Sequence, residues 1–246
     1  MKSGGEYMIH EGVKMGKNVV VEENVSIGPN TIIGHNVVIK EGTRIGANCV
    51  IADNTVLGKS PMKARRSAVT EIGDLPPLEI EDNVMIGAGC VIYRGARLEE
   101  GVFVGDLATI RENVIIGKGT IIGRGVAVEN KTKIGKWCKI ETNAYITAMS
   151  VIEDHCFVAP MVTFTNDNYL GRTKERFKYF GGPVLKKGAR VGANAILLSR
   201  VVVGEDALVG AGAVVTKDVP PRKVIVGIPA KVLKDVPPEQ LLENQE

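Results

Sequence analysis

The sequence predicts an all-β chain wound as a parallel β-helix. Three observations carry that prediction. A large aliphatic residue recurs every sixth position, from Ile9 through Leu57, from Ile80 through Phe164, and from Leu185 through Val215. The residue two positions before the beat is small or β-branched almost throughout, as at Thr31, Val37, Thr43 and Cys49. The residue after the beat is often glycine, as at Gly28, Gly34, Gly46 and Gly117. A period of six is neither the 3.6 of a helix nor the alternation of a simple strand. It is the signature of short strands stacked coil upon coil.

Each short strand sends one large and one small side chain inward, because strand side chains alternate between faces. Gly, Asn and Asp after the beat are expected to make the corner, since they tolerate φ > 0. Thirty beats at three strands per turn give about ten coils. At ~4.8 Å per strand the prism is about 48 Å long. Neighbouring repeats share one core, so residues 1–246 read as a single β-helix domain. Aromatic residues are only 4% of the chain, which suits a core too narrow for rings.

The first run of beats ends at Leu57 and gives way to a loop over 59–77, which contains Lys59, Arg65, Arg66 and the Leu75-Pro76-Pro77 run. The second run ends at Phe164 and a loop follows over 165–182, from Thr165-Asn166-Asp167 to Phe180-Gly181-Gly182. Interruptions of a solenoid become loops on one face, where binding and catalysis concentrate. The cap, 216–246, ends in Pro237-Pro238-Glu239-Gln240-Leu241, which predicts a short closing helix with proline in its first turn. Met8 is an alternative start, with residues 1–7 an unstructured leader.

The formal net charge of +3 is too small and too scattered to argue a nucleic-acid partner. No apolar stretch suits a membrane span and no charged-then-apolar leader opens the chain, so a cytoplasmic protein is expected. All four cysteines, Cys49, Cys90, Cys138 and Cys156, fall on the small inward position. A metal or disulfide reading needs close pairs and none exists among them, so they read as small core residues and neither a disulfide nor a metal site is expected.

The run Gly210-Ala-Gly-Ala-Val-Val-Thr-Lys-Asp-Val-Pro, followed by Val226-Gly-Ile-Pro-Ala-Lys-Val, resembles the C-terminal signature of hexapeptide acyltransferases of the left-handed β-helix superfamily. The resemblance extends along the whole chain, and the left hand of the helix is implied by it rather than by the period. The stretch from Glu153 through Phe164-Thr165-Asn166-Asp167 resembles the members that N-acetylate amino sugars carried on UDP or dTDP. Where that group often has Pro-Arg in the loop, this chain has Gly171-Arg172. Where it commonly has a Glu eighteen residues before the Asn, this chain has Ala148.

Several expectations follow from the resemblance. Acetyl-CoA is the co-substrate, a nucleotide-linked amino sugar the acceptor, and a homotrimer the assembly, with sites between subunits. Asn166 positions substrate. Asp167 heads the loop, either as a proton acceptor or as the start of an Asx turn. His155, at an outward turn, is the histidine able to meet a neighbouring subunit's loop. Asn130 lies beneath Ala148 and with Arg172, Arg65 and Arg66 is expected on the acceptor side. Ala193 and Ala211, eighteen apart, are expected to offer backbone contacts to CoA, with Lys217, Lys231 and Arg222 at its phosphates. O-acetylation of a sugar hydroxyl and a non-catalytic scaffold are the alternatives. The second would have no use for the Lys217 motif.

Overall fold

The computed structural model describes residues 8–65, 67, 70 and 73–245. Arg66 and the proposed leader 1–7 lie outside the described residues. The short strands form three parallel walls of 10, 12 and 10 strands, and each strand pairs with the third one on in sequence. The first wall starts with Met8–Ile9, the second with Lys14–Met15 and the third with Val20–Val21. Ten coils result, as the beat count predicts.

The beat residues fill the interior. Ile27, Ile39, Leu57, Ile92, Ile110 and Ile146 are all 0% exposed, and so is Phe164, which places one ring in a core expected to be too narrow for rings. One hydrophobic cluster runs unbroken from Val25 to Ile225. Small inward threonines add polar ties between coils. Thr31 Oγ1 donates to the Gly46 carbonyl at 2.9 Å and accepts the Cys49 amide at 3.1 Å.

The corners work differently from the expectation. Positive φ falls three residues after the beat, at Asn18 (φ 58), Asn30 (φ 58) and Gly12 (φ 78). The glycine directly after the beat is needed for space. A Cβ on Gly28 or Gly117 would sit 2.5 Å from the carbonyl carbon of Gly46 or Gly135 on the next coil. Coils approach backbone to backbone there, and only glycine permits it.

The cysteine reading needs one correction. Cys138 and Cys156 are eighteen apart, so stacking puts them on neighbouring coils of one core column. Both are free and buried. The contact with Cys138 and burial both raise the Cys156 thiol pKa. A close pair therefore exists in space although none stands out along the chain.

The cap also differs in detail. After the tenth coil, Lys223–Val226 and Lys231–Asp235 form an antiparallel hairpin that extends the second wall. It covers the open end of the prism, which would otherwise expose unpaired backbone groups. The closing helix is two 3₁₀ turns, Pro238–Gln240 and Leu242–Asn244, rather than one longer element. Val236 and Leu241 pack with Val224 in a small separate cluster. Among the described residues no helix is long and apolar enough to cross a membrane.

Candidate functional site

Both loops leave the prism at the same edge, where the third wall turns into the first. The first departs after Val56–Lys59 on the third coil, the second after Thr163–Phe164 on the eighth. The register Thr163↔Ile196 and Ile196↔Val214 continues past the strands into this edge. One column therefore reads Glu112, Asn130, Ala148, Asn166 and Ser199, one residue per coil, spaced by about 4.8 Å; on the tenth coil the turn is two residues shorter, since Val203 bridges Val219, and Lys217 lies within that turn. Two expected residues, Asn130 and Asn166, share this column, and Lys217 follows the third-wall strand Val214–Val215 on the same edge. Asn130 is 1% exposed, so it supports the coil above it.

Asp167 begins the second loop. Its carboxylate accepts the amides of Tyr169 at 2.9 Å and Gly171 at 2.8 Å. It also pairs with Arg176 Nε at 3.0 Å, with both side chains largely covered. This is an Asx turn reinforced by a salt bridge. The loop contains a 3₁₀ turn over Glu175–Lys178. Its Arg176 turns inward, 5.1 and 5.4 Å from the rings of Phe177 and Phe180, instead of reaching outward with its basic neighbours. Arg172 is exposed, its amide donating to the Tyr169 carbonyl at 3.0 Å. Asn166 is half-buried and its carbonyl accepts the Gly181 amide at 3.1 Å, which closes the loop at its base.

The first loop folds along the edge toward the second. Arg94 Nε donates to the Leu75 carbonyl at 3.2 Å, the Gly95 amide to the Pro76 carbonyl at 2.8 Å, and Arg111 Nη2 to Thr70 Oγ1 at 3.4 Å. Arg65 lies exposed in this loop. Beneath it is a cluster that the sequence reading missed. Arg111 grips Glu112 with two bonds of 2.8 and 3.1 Å, and Glu112 is 2% exposed. Two cations approach the Tyr93 ring, Lys59 Nζ at 4.7 Å and the Arg111 guanidinium carbon at 4.9 Å from its centroid. Glu129, on the next coil, is 3.4 Å from Arg111. Burial raises its pKa, with Arg111 opposing and Glu112 adding to the rise. The signal was available, since Tyr93, Arg111 and Glu129 are eighteen apart.

The expected cofactor residues divide in two. Ala193 and Ala211 stack on the edge between the second and third walls, where the Gly212 amide donates to the Ala193 carbonyl at 2.8 Å. Lys217 stands on the opposite edge of the third wall. Lys231 begins the second hairpin strand, just after Ala230, whose amide donates to the Val214 carbonyl of that wall at 2.8 Å. These four border the C-terminal end of the third wall. Arg222 does not join them. It sits where the first wall turns into the second, paired with Glu243 at 3.1 Å. His155 is also on that edge, exposed, in a shallow cavity of about 240 Å³ shared with Arg190, Asp206 and Gln240. Within one chain it does not meet Asn166.

The profile of the family described as "Bacterial transferase hexapeptide (six repeats)" matches residues 7–41, 24–59, 95–130 and 182–217, just over half of the chain. A profile for the hexapeptide repeat of succinyl-transferase matches 77–110. A dTDP-3-amino-3,6-dideoxy-alpha-D-galactopyranose 3-N-acetyltransferase of Aneurinibacillus thermoaerophilus is 51% identical over 41 residues, covering 17% of this chain and 21% of that protein. A putative serine acetyltransferase of Schizosaccharomyces pombe is 42% identical over 76 residues, covering 30% and 27%. The matches thus span only 21% and 27% of these curated relatives' own lengths. Among solved structures, a mutant GDP-perosamine N-acetyltransferase of Caulobacter crescentus, in complex with CoA and GDP-perosamine, superposes with a TM-score of 0.44 at 25% identity, covering 61% of this chain and 57% of that one. By its repeat, its three walls and the extent of the profile match, the chain belongs to the bacterial transferase hexapeptide family.

Proposed function

We propose that the protein is an acetyl-CoA-dependent N-acetyltransferase acting on the amino group of a UDP- or dTDP-linked amino sugar. The observation that carries this reading is the shared edge. Asn166, both loop excursions and Lys217 line one edge of the prism, with Asn166 following the third-wall strand of the eighth coil and Lys217 that of the tenth. The short stretch 51% identical to an N-acetyltransferase of a dTDP-amino sugar supports the acceptor class.

CoA is a thin arm ending in anionic phosphates. Along the third wall the arm would run beside the backbone of Ala193 and Ala211, with Lys217 and Lys231 at the phosphates. The amine nitrogen attacks the thioester carbonyl and a C–N bond forms. The C–S bond then breaks, and the sulfur leaves as the thiol with the proton that the amine loses. Orientation supplies most of the rate in such a transfer, since both reactants are held side by side. The Asn166 side-chain amide is suited to hold the acceptor or the developing oxyanion. Asp167 keeps the loop in shape around them, and Arg172 and Arg65 are cations for the diphosphate. His155 enters the chemistry only if a second copy brings it to this edge, which fits a homotrimer with sites between prisms.

The test is release of free CoA thiol from acetyl-CoA in the presence of a panel of UDP- and dTDP-amino sugars. Lys217→Ala is expected to raise the KM for acetyl-CoA about tenfold with kcat little changed, as loss of one charge-assisted contact implies. Thiol release with none of these acceptors would overturn the proposal. The similarity to a putative serine acetyltransferase favours O-transfer as the second reading. His155→Ala separates the two, because hydroxyl attack leans on an imidazole base and amine attack does so less. Near-complete loss would favour O-transfer.

A further inference from the structure

The second loop and the ninth coil border an open cleft of about 570 Å³, lined by Asn168, Tyr169, Tyr179, Ser199 and Arg200. Small-molecule sites commonly occupy roughly 300–1,000 Å³, so the cleft has room for a nucleoside. Its lining is unusual for this chain. There are only 5 tyrosines in 246 residues, and two of them meet here. Their ring centroids are 6.2 Å apart and their planes within 21°, a stacked pair. Tyr179 is nonetheless 50% exposed. Two stacked rings offer a flat, preformed platform, and any nucleobase has a π-face to lay on it.

Polar groups surround that platform in a definite order. Asn168 carries an amide, which pairs one donor and one acceptor with the edge of a uracil or thymine ring. Arg200 is exposed, and its guanidinium donates to the Lys178 carbonyl at 3.4 Å, one long bond from a group with five N–H donors. The Ser199 hydroxyl is bonded to the Tyr179 and Gly181 carbonyls at 3.2 and 2.9 Å. It braces the platform and is not an open recognition group. Ser199 stacks next to Asn166 on the shared edge, so the cleft opens one coil from the proposed acceptor position.

We infer that this cleft holds the pyrimidine base of the nucleotide carrier, stacked on Tyr169 and Tyr179, edged by Asn168 and with Arg200 at the phosphates. The inference rests on the reading of the acceptor as a nucleotide-linked sugar and assigns its nucleoside half to particular residues. Aromatic stacking and a guanidinium suit a base and a phosphate better than they suit a sugar ring alone.

Calorimetric titration of the full chain with UDP, dTDP and inorganic pyrophosphate tests it, with CoA titrated in parallel. Tyr179→Ala is expected to weaken both nucleotides ~10-fold or more, as loss of one stacked ring implies. Tyr179→Phe keeps the ring and should bind as wild type does. Arg200→Gln should weaken nucleotides and pyrophosphate alike, and CoA affinity should be the same in every variant. Circular dichroism melts check folding, and Asn168→Ala serves if Tyr179→Ala does not fold. Wild-type affinity for UDP and dTDP in both Tyr179→Ala and Asn168→Ala would overturn this site and leave the acceptor reading standing. Pyrophosphate binding as tightly as UDP would overturn the role of the base. A wild-type protein that binds neither nucleotide would overturn the carrier reading and this site together.

Discussion

Removing the Asp167 carboxylate should loosen the second loop without loosening the prism. The side chain accepts two backbone amides, at 2.9 and 2.8 Å, and forms an ion pair with Arg176, whose Nε lies 3.0 Å away. Hydrogen bonds to a charged group contribute about 1.5–3 kcal/mol each to the state that contains them. The loop is partly open to water, which recovers some of that energy, so a net local loss of about 2 kcal/mol is expected in Asp167→Ala. Each 1.4 kcal/mol is a factor of ten, and ~2 kcal/mol is therefore about a thirtyfold rise in local opening. Amide hydrogen exchange reads this directly at Tyr169 and Gly171. Asp167→Asn keeps one acceptor oxygen and should show an intermediate rise. The melting temperature should barely move, because the 3₁₀ turn of this loop buries no residue of its own. Unchanged exchange at both amides would refute the structural role. Activity lost in Asp167→Asn, with the loop still protected, would instead make the carboxylate a participant in proton transfer.

Other consequences can be measured on the same protein. Phe164→Ala should cost about 3–5 kcal/mol in denaturant unfolding, because a ring that is 0% exposed leaves a cavity directly beneath the second loop. Glu129 has its pKa raised, chiefly by burial, so the folded state binds its proton more tightly than the unfolded state does. Stability then falls as pH rises from the ordinary carboxylate range through the folded value, and Glu129→Gln should gain melting temperature relative to wild type at pH 7 but not at pH 3.5. Burial raises the Cys90 thiol to about 11, so a maleimide at pH 8 should modify it only after the chain is unfolded.

The period of six made the three walls legible because each inward residue answers to one local demand, the width of the prism. That demand repeats identically at Ile27, Ile92 and Leu197, so a single spacing predicts them all. The edges are less legible. A corner residue answers to neighbours eighteen positions away, or more where a loop intervenes, as with Lys59 and Tyr93. The cluster of Arg111, Glu112 and Glu129 therefore reads as ordinary turn charge until the stacking is applied. Glycine after the beat was visible but its reason was not. Chain direction alone does not reveal that the coil above comes within a Cβ of it. The hairpin after Arg222 was missed because it follows no period, and the turn between its strands is fixed by contact with Val214.

The shared edge has a physical consequence for the site. A coil fixes the height of each edge residue to its neighbours through paired backbone bonds on both sides, so residues in one column are held at multiples of a strand spacing. Loops tied to such a column inherit its rigidity at their bases and keep their freedom at their tips. Asn166 is a base of this kind, closed by the Gly181 amide. Tyr169 and Tyr179 lie farther out, held through Asp167, Ser199 and their own stacking. Atoms that must align for acyl transfer would thus rest on the rigid column, while a group that must enter and leave rests on the loop. Substitutions at Asn166 should then act on kcat, and substitutions at the tyrosines on the affinity for the acceptor, a division that kinetics of the two sets can resolve.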